Sequence, residues 1–221
     1  MPGPNLTIDI VVSAPFMENT LVVHQGGRSD CVIIDPGFQP DKIVTVLQRR
    51  NLEPAAILLT HGHADHIAGN AFLKQRWPQL PLIIGAGDAE MLVDPIANLS
   101  GLAEVAVVSP PADRLVREGD VVDAAGLRFL VRDVPGHSPG HVVYIVGDAT
   151  PQVVFGGDVL FAGSVGRTDF PGGSGPQLIQ GIREKLFPLP PDTIVYPGHG
   201  PATTIGEEMR SNPFCRSAFP G

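Results

Sequence analysis

LLTHGHADHIAGN, residues 58–70, puts His61, His63, Asp65 and His66 within six positions of one another. The chain has only seven histidines in 221 residues, so three of them at the end of one apolar run need a reason. The run that precedes them, AAILLT (55–60), is continuously apolar, as expected of a strand buried on both faces. His61 and His63 are two apart and in extended backbone point the same way. Asp65 and His66 are adjacent and open the next predicted helix, HIAGNAFLKQRWP, so they reach the same space from another direction. The i, i+4 ladder of a metal site built on a single helix is absent. The pattern is a strand-end-to-helix loop that brings four donors to one point, and it reads either as a solvated polar loop or as a metal site.

Three further residues weigh against the solvated loop. His137 lies in VPGHSPGH after the strand-like LRFLVRDV (127–134), Asp158 lies in FGGD after QVVF, and His199 lies in YPGHGP after DTIVY. Each is a ligand-type residue at the C-terminal end of a predicted strand, flanked by glycine that lets the backbone approach closely. Five of the seven histidines occupy equivalent places. Imidazole nitrogens and carboxylate oxygens without sulfur suit zinc, iron or manganese. Cys31 and Cys215 stand far apart and form neither a disulfide framework nor a thiolate cluster. No GxSxG or Cys–His pattern offers a protein nucleophile.

The rest of the chain reads as one α/β domain spanning residues 1–221. Predicted strands are LTIDIVV (6–12), CVIIDPG (31–37), AAILLT (55–60), PLIIG (81–85), LRFLVRDV (127–134), HVVYIVGD (141–148), QVVFGGD (152–158) and DTIVYPG (192–198). Predicted helices are QPDKIVTVLQRRN, with Pro40 early and Ile43 and Leu47 on one face, and SGPQLIQGIREKLFP, with Ser174 as cap and Pro188 as stop. Thr204 and Glu207 have the spacing of a capping box. Residues 86–125 are the least readable, and NLSGLAEVAVVSPPADRLVREGD looks like an insertion with one strand in it. The formal charge is −8, from 15 basic and 23 acidic residues, and the longest basic cluster is Arg49–Arg50. A nucleic-acid partner is therefore not expected. No apolar run approaches the ~20 residues of a membrane span, and MPGPNLTIDIVVSAPF lacks the layout of a signal peptide, so a cytoplasmic protein without a membrane partner is expected. Homo-oligomers remain open.

THGHADH resembles the Thr-His-x-His-x-Asp-His motif of the metallo-β-lactamase superfamily, and His137, Asp158 and His199 follow in the order of its remaining ligands. The resemblance implies an αββα sandwich, two mixed sheets with helices on the outer faces and a dinuclear site at one edge. It implies that His61, His63 and His137 hold one metal, that Asp65, His66 and His199 hold the other, and that Asp158 bridges them. A bridging carboxylate supports a pair of divalent ions roughly 3.5–4 Å apart, most readily zinc, with iron or manganese as alternatives. Water bound there, with a pKa near 15.7 in bulk, falls to about 7, so the nucleophile is a metal-held hydroxide and Asp65 and Asp158 are the catalytic carboxylates.

GSVGRTDFPGG (163–173) and YPGHGPATTIGEEMRSNPF (196–214) narrow the similarity to single-domain glyoxalase II-like hydrolases. This implies a thioesterase cleaving S-D-lactoylglutathione, a small glutathione-derived substrate whose thiolate departs without a general acid. Two features depart from that family. Only 22 residues follow His199, which leaves no helical glutathione clamp, and Arg167, Thr168, Asp169 and Phe170 stand where a lysine–tyrosine pair is found. Arg167 either meets a substrate carboxylate or pairs with Asp169. The chain also resembles persulfide dioxygenases, in which His61, His137 and Asp158 would hold one iron, although these usually have an aspartate where Gly200 follows His199. A lactonase is a further alternative. A true β-lactamase usually has cysteine at the position of Asp158. His24 reads as a structural residue and His141 as a packing or positioning one.

Overall fold

Apolar strands covered on both faces generate the layers. The computed structural model describes residues 5–101 and 106–215. Its strands are, in chain order, β1 (Leu6–Ser13), β2 (Glu18–Gln25), β3 (Asp30–Ile34), β4 (Glu53–Leu59), β5 (Leu82–Gly85), β6 (Arg114–Val116), β7 (Val121–Ala124), β8 (Leu127–Asp133), β9 (Val142–Val146), β10 (Val153–Gly157), β11 (Leu160–Phe161), β12 (Ser164–Val165), β13 (Ile194–Pro197) and β14 (Thr203–Thr204). One six-stranded sheet runs β1-β2-β3-β4-β5-β6 and a second runs β14-β13-β10-β9-β8-β7. Each is mixed: β3, β4, β5 and β6 are parallel neighbours in the first, as are β10 and β13 in the second. β11 and β12 form a separate hairpin.

Period-2 alternation divides each strand between two cores. Val32 and Ile34 of β3 and Leu58 of β4 face Phe129, Val131, Tyr144 and Phe155 of the second sheet. Cys31, Ile33, Ile57 and Leu59 turn to the opposite face, where Ile43 and Leu47 of α1 (Pro40–Arg50), Ile67 of α2 (Ala64–Ile67) and Leu73 of α3 (Asn70–Arg76) cover them. The outer face of the second sheet is covered by Leu178 of α4 (Gly175–Gly181), Ile182 and Leu186 of the π-helical turn that continues it, and Ile205 of α5 (Ile205–Ser211). The result is the αββα order that the sequence resemblance implies.

Several local expectations need correction. The helix read as HIAGNAFLKQRWP is two, split between α2 and α3, because Gly69 is pressed against the loop after β3. Its N–H donates to Pro36 O at 2.8 Å, and a Cβ there would come within 2.8 Å of Gly37 O. β2, β7, β11, β12 and β14 have no counterpart among the expected strands, although the segment around His24 in β2 reads as strand-like. The insertion 98–120 does carry one strand, β6, but at RLV, and residues 102–105 lie outside the described residues. Ser174 caps α4 by accepting the Gln177 N–H. At α5 Thr204 accepts the Glu207 N–H, but the Glu207 carboxylate goes to Arg210 at 2.7 Å, so the box is half formed.

The central core predicts its own sensitivity. Phe129 is fully buried between the sheets. Phe129→Ala should lower the unfolding free energy by about 3–5 kcal/mol in a denaturant titration, whereas truncating Ile96, which is 79% exposed, should leave it nearly unchanged.

Candidate metal centre

Parallel pairing brings chain ends to one edge. β3 and β4 are parallel in register, with Ile34 beside Leu58, so the residues just beyond them, Asp35 and Thr60, meet. His61 follows Thr60, and α2 starts at Ala64. On the second sheet β8 runs antiparallel to β9, and β9 to β10, which is parallel to β13. The segments that carry His137, Asp158 and His199 therefore emerge at the same end. Open α/β sheets place ligands at the carboxyl ends of their strands for this reason.

There the ligand atoms of His61, His63 and His137 lie within 4.8 Å of one another, as do those of Asp65, His66 and His199. Asp158 lies between the two groups. Its Oδ1 is 3.5 Å from His66 Nε2, and its Oδ2 is 3.5 Å from His137 Nε2 and 3.6 Å from His199 Nε2. His199 Nε2 also faces Asp65 Oδ2 at 3.3 Å.

The outward nitrogens fix which tautomer each ring adopts. Carbonyls only accept, so His137 donates from Nδ1 to Arg167 O at 2.8 Å and His199 from Nδ1 to Phe16 O at 3.1 Å. His66 donates from Nδ1 to Asp35 Oδ2 at 3.1 Å. The Thr60 hydroxyl donates to Asp35 Oδ2 at 2.6 Å and so accepts from His61 Nδ1 at 3.0 Å. Four rings therefore turn an Nε2 lone pair inward, and His63 Nδ1 lies 2.9 Å from His137 Nε2, aimed at the same point. His61 Nε2, His66 Nε2 and Asp158 Oδ1 are buried without a hydrogen-bond partner. Buried polar atoms are normally satisfied, so converging orphaned lone pairs fit a cation.

Electrostatics separates the two groups. Burial, reinforced by neighbouring imidazoles, drives the pKa of His61 well below its usual value and that of His63 down to about 3. His137 is lowered chiefly by burial. In the other group burial pulls the same way on His66 and His199 but is overcome, by Asp65, Asp158 and Asp35 at His66 and by Asp65 and Asp158 at His199. Burial also tends to raise the Asp65 pKa, yet His66 and His199 leave it below the usual carboxylate range.

Asp35 and Gly157, which pattern reading did not single out, hold this arrangement together with His141, which it read as a packing or positioning residue. Asp35, buried, accepts the Thr60 N–H at 2.7 Å as well as the two bonds above, and its acceptors are committed to orienting His61 and His66. His141 stacks on His61 with centroids 4.7 Å apart and accepts the Asp158 N–H at 3.1 Å, a positioning place rather than a proton donor's. Gly157, at φ +47°, is needed where it stands, since a Cβ would come within 2.2 Å of Thr60 Oγ1. His24 lies away from the centre, 3.4 Å from Asp9.

The centre opens into a cavity of about 560 Å³. Phe16, Leu99, Phe161, Val165 and Phe170 form its apolar wall, and Arg167 is the one Lys or Arg among its lining residues. Of the two readings open for Arg167, the structure shows the ion pair: both arms of its guanidinium meet Asp169 at 2.7 Å, and it lies 3.9 Å above the Phe170 ring.

Comparison with known proteins bears on the family and the fold. The family model of the metallo-beta-lactamase superfamily matches residues 14–199. A hydroxyacylglutathione hydrolase, GloC, of Haemophilus influenzae is 37% identical over 217 residues, 96% of this chain and 99% of its own. Among solved structures, BLEG-1, a B3 metallo-beta-lactamase, superposes with TM-score 0.89 at 37% identity, covering 96% of this chain and 100% of that one. TTHA1623 in a di-iron-bound form gives 0.81 at 40%, covering 93% and 99%. ETHE1 from Myxococcus xanthus gives 0.74 at 31%, covering 94% and 83%.

Asp158 lies between the two groups, its Oδ1 toward His66 and its Oδ2 toward His137 and His199. Asp158→Ala should reduce bound metal, counted by elemental analysis of purified protein, from two ions per chain to one or fewer, with far-ultraviolet circular dichroism unchanged. Retention of two tightly bound ions would remove Asp158 from the centre.

Proposed function

The chain belongs to the metallo-β-lactamase superfamily, and from that premise we propose that it is a dinuclear metal-dependent thioesterase acting on hydroxyacylglutathione substrates such as S-D-lactoylglutathione. The observation that carries this reading is the pair of donor groups sharing Asp158 at the floor of an open cavity. His61, His63 and His137 would hold one ion, Asp65, His66 and His199 the other, and Asp158 would touch both. Nitrogen and oxygen donors suit zinc, with iron or manganese as alternatives. Divalent ions held there would polarise the thioester carbonyl and make water acidic enough to attack it near neutral pH.

The chain's own residues supply the rest. Asp65, ionised beside His199, faces the cavity and can accept a hydrogen bond that orients the attacking water, whose proton passes to solvent. Collapse of the tetrahedral carbon breaks the C–S bond, and a thiolate of pKa about 8.5 leaves without a protein acid. The apolar wall excludes bulk water from the acyl carbon, and Arg167 offers the cavity a positive charge for a glutathione carboxylate.

A mononuclear-iron persulfide dioxygenase is the second reading, favoured by the likeness to ETHE1 and by His61, His137 and Asp158 being adjacent. The hydrolase is preferred because Gly200, not an aspartate, follows His199, and because Asp65, His66 and His199 converge as tightly as the three histidines and offer donors for a second ion.

The deciding experiment measures thioester loss from S-D-lactoylglutathione with zinc and iron quantified in the same sample. Saturable turnover at close to two metals per chain is the expected result. No turnover at about one iron per chain, with oxygen uptake on glutathione persulfide, would establish the dioxygenase. Hydrolysis of a chromogenic cephalosporin alone would instead place the activity with the B3 β-lactamase that the fold matches. In each case His24→Ala should leave kcat/KM unchanged within twofold.

A further inference from the structure

The segment least readable in the sequence contains a buried acid that the reaction does not use. Asp88 lies in a 3-10 helix, Ala86–Leu92, that follows β5, and it is fully buried. Its Oδ2 accepts the Gly62 N–H at 3.1 Å and the Ser138 hydroxyl at 2.6 Å, and its Oδ1 accepts the Gly140 N–H at 2.6 Å. Gly62 lies between His61 and His63, and Ser138 follows His137. One carboxylate thus joins the two loops that carry all three histidines of the first group, and none of these hydrogen bonds goes to a histidine.

The backbone is shaped for this contact. A Cβ on Gly140 would come within 2.2 Å of Asp88 N, and one on Gly87 within 2.7 Å of Gly140 Cα. A Cβ on Gly62 would come within 2.4 Å of Met91 Cβ. The helix meets the Gly140 loop at main-chain distance and the Gly62 loop through the Met91 side chain, with no room for a Cβ at any of the three glycines. Two of the three donors to Asp88 are backbone N–H groups, and buried donors of that kind must be met. Burial raises the carboxyl pKa, and the donors from Ser138, Gly140 and Gly62 oppose that rise.

We propose that Asp88 is a positioning residue for the three-histidine group, locking the His61–His63 loop onto the His137 loop at the spacing that lets the group take one divalent ion. This rests on the reading of that group as a metal site. Side chains behind metal ligands act on affinity by holding ligand orientation, typically by 10–100-fold. Here the hold is exerted through main chain and one serine rather than through the rings.

Asp88→Asn keeps shape and volume. Its amide carbonyl can serve Gly62 and Ser138, but its NH2 then opposes the Gly140 N–H. Ser138→Ala is the milder variant, removing one bond and leaving both backbone contacts. Zinc binding to metal-free full-length protein, followed by competition with a chromophoric chelator, gives the number and strength of sites. Thermal unfolding of the metal-free protein is measured alongside.

Asp88→Asn should weaken one of two zinc sites by about 10–100-fold, and Ser138→Ala should weaken the same site by a smaller factor. In a His199→Ala background, where the three histidines provide the remaining site, Asp88→Asn should weaken it by the same factor. Unchanged affinity in folded Asp88→Asn overturns the proposal, as does equal weakening of both sites in step with a lowered melting temperature. Where Asp88→Asn fails to fold, unchanged affinity in Ser138→Ala overturns it. A wild-type chain that binds no zinc overturns the metal reading and this one together, whereas two normal sites insensitive to Asp88 overturn only the role of Asp88.

Discussion

The Asp35 carboxylate, 2% exposed just beyond β3, accepts the Thr60 N–H, the Thr60 hydroxyl and His66 Nδ1. It is available to do so because β3 and β4 are parallel and in register, so that their C-terminal ends lie side by side. Through Thr60 it also orients His61, and it thereby reaches one ring of each donor group. A carboxylate behind an imidazole settles the tautomer and raises the basicity of the opposite nitrogen. Asp35 stands at φ +50°, a left-handed conformation that aspartate tolerates better than most residues. Both Nε2 lone pairs depend on that turn, and the centre depends on the lone pairs.

The two donor groups present different electrostatic problems to an arriving cation. The three histidines are held below their usual pKa, chiefly by burial, so protons compete weakly for their nitrogens. Burial opposes a charge on His66 and His199, but Asp65 and Asp158, with Asp35 at His66, hold both above their usual pKa, so protons compete for the second group at a higher pH than for the first. Metal binding coupled to proton release is pH-dependent. Occupancy of the second group should therefore weaken as pH falls before that of the first does. The same carboxylates that favour a proton there also compensate a cation.

The ligand residues were legible in the sequence because their signal is local. THGHADH packs four donors into one turn of chain, and His137, Asp158 and His199 each follow an apolar run that can only be a strand. The αββα order was legible through resemblance, and through runs such as AAILLT that are buried on both faces. Asp35 and Asp88 were not legible, because what marks them is the partner: Thr60 is 25 residues from Asp35, and Gly140 is 52 from Asp88. IDPG only ends a predicted strand and GAGD opens the least readable segment, so neither marks its aspartate until the fold closes. The break between α2 and α3 was missed for the same reason, since only the approach of Pro36 and Gly37 shows why Gly69 interrupts the helical pattern.

Recognition at the cavity rests on a similar division between what is fixed and what is free. Leu99 lines the cavity at φ +71°, a conformation costly for a branched side chain, and strain of that kind persists only where neighbours over-determine it. Asn98 and Ser100 do so. The Asn98 amide donates to Met91 O and Val107 O, the Ser100 hydroxyl donates to Asn98 Oδ1, and Asn98 O accepts the Ala64 N–H at the start of α2. The apolar wall is thus tied to the metal loop and cannot easily yield. Arg167 is the opposite case. Its carbonyl is held by His137, but its guanidinium is exposed and paired with a carboxylate two residues away, an arrangement that solvent leaves weakly held. Under the function proposed above, a substrate carboxylate would take the place of Asp169 beside the Phe170 ring, shape selection would fall to Leu99 and the phenylalanines, and charge selection to one side chain whose backbone is fixed by His137.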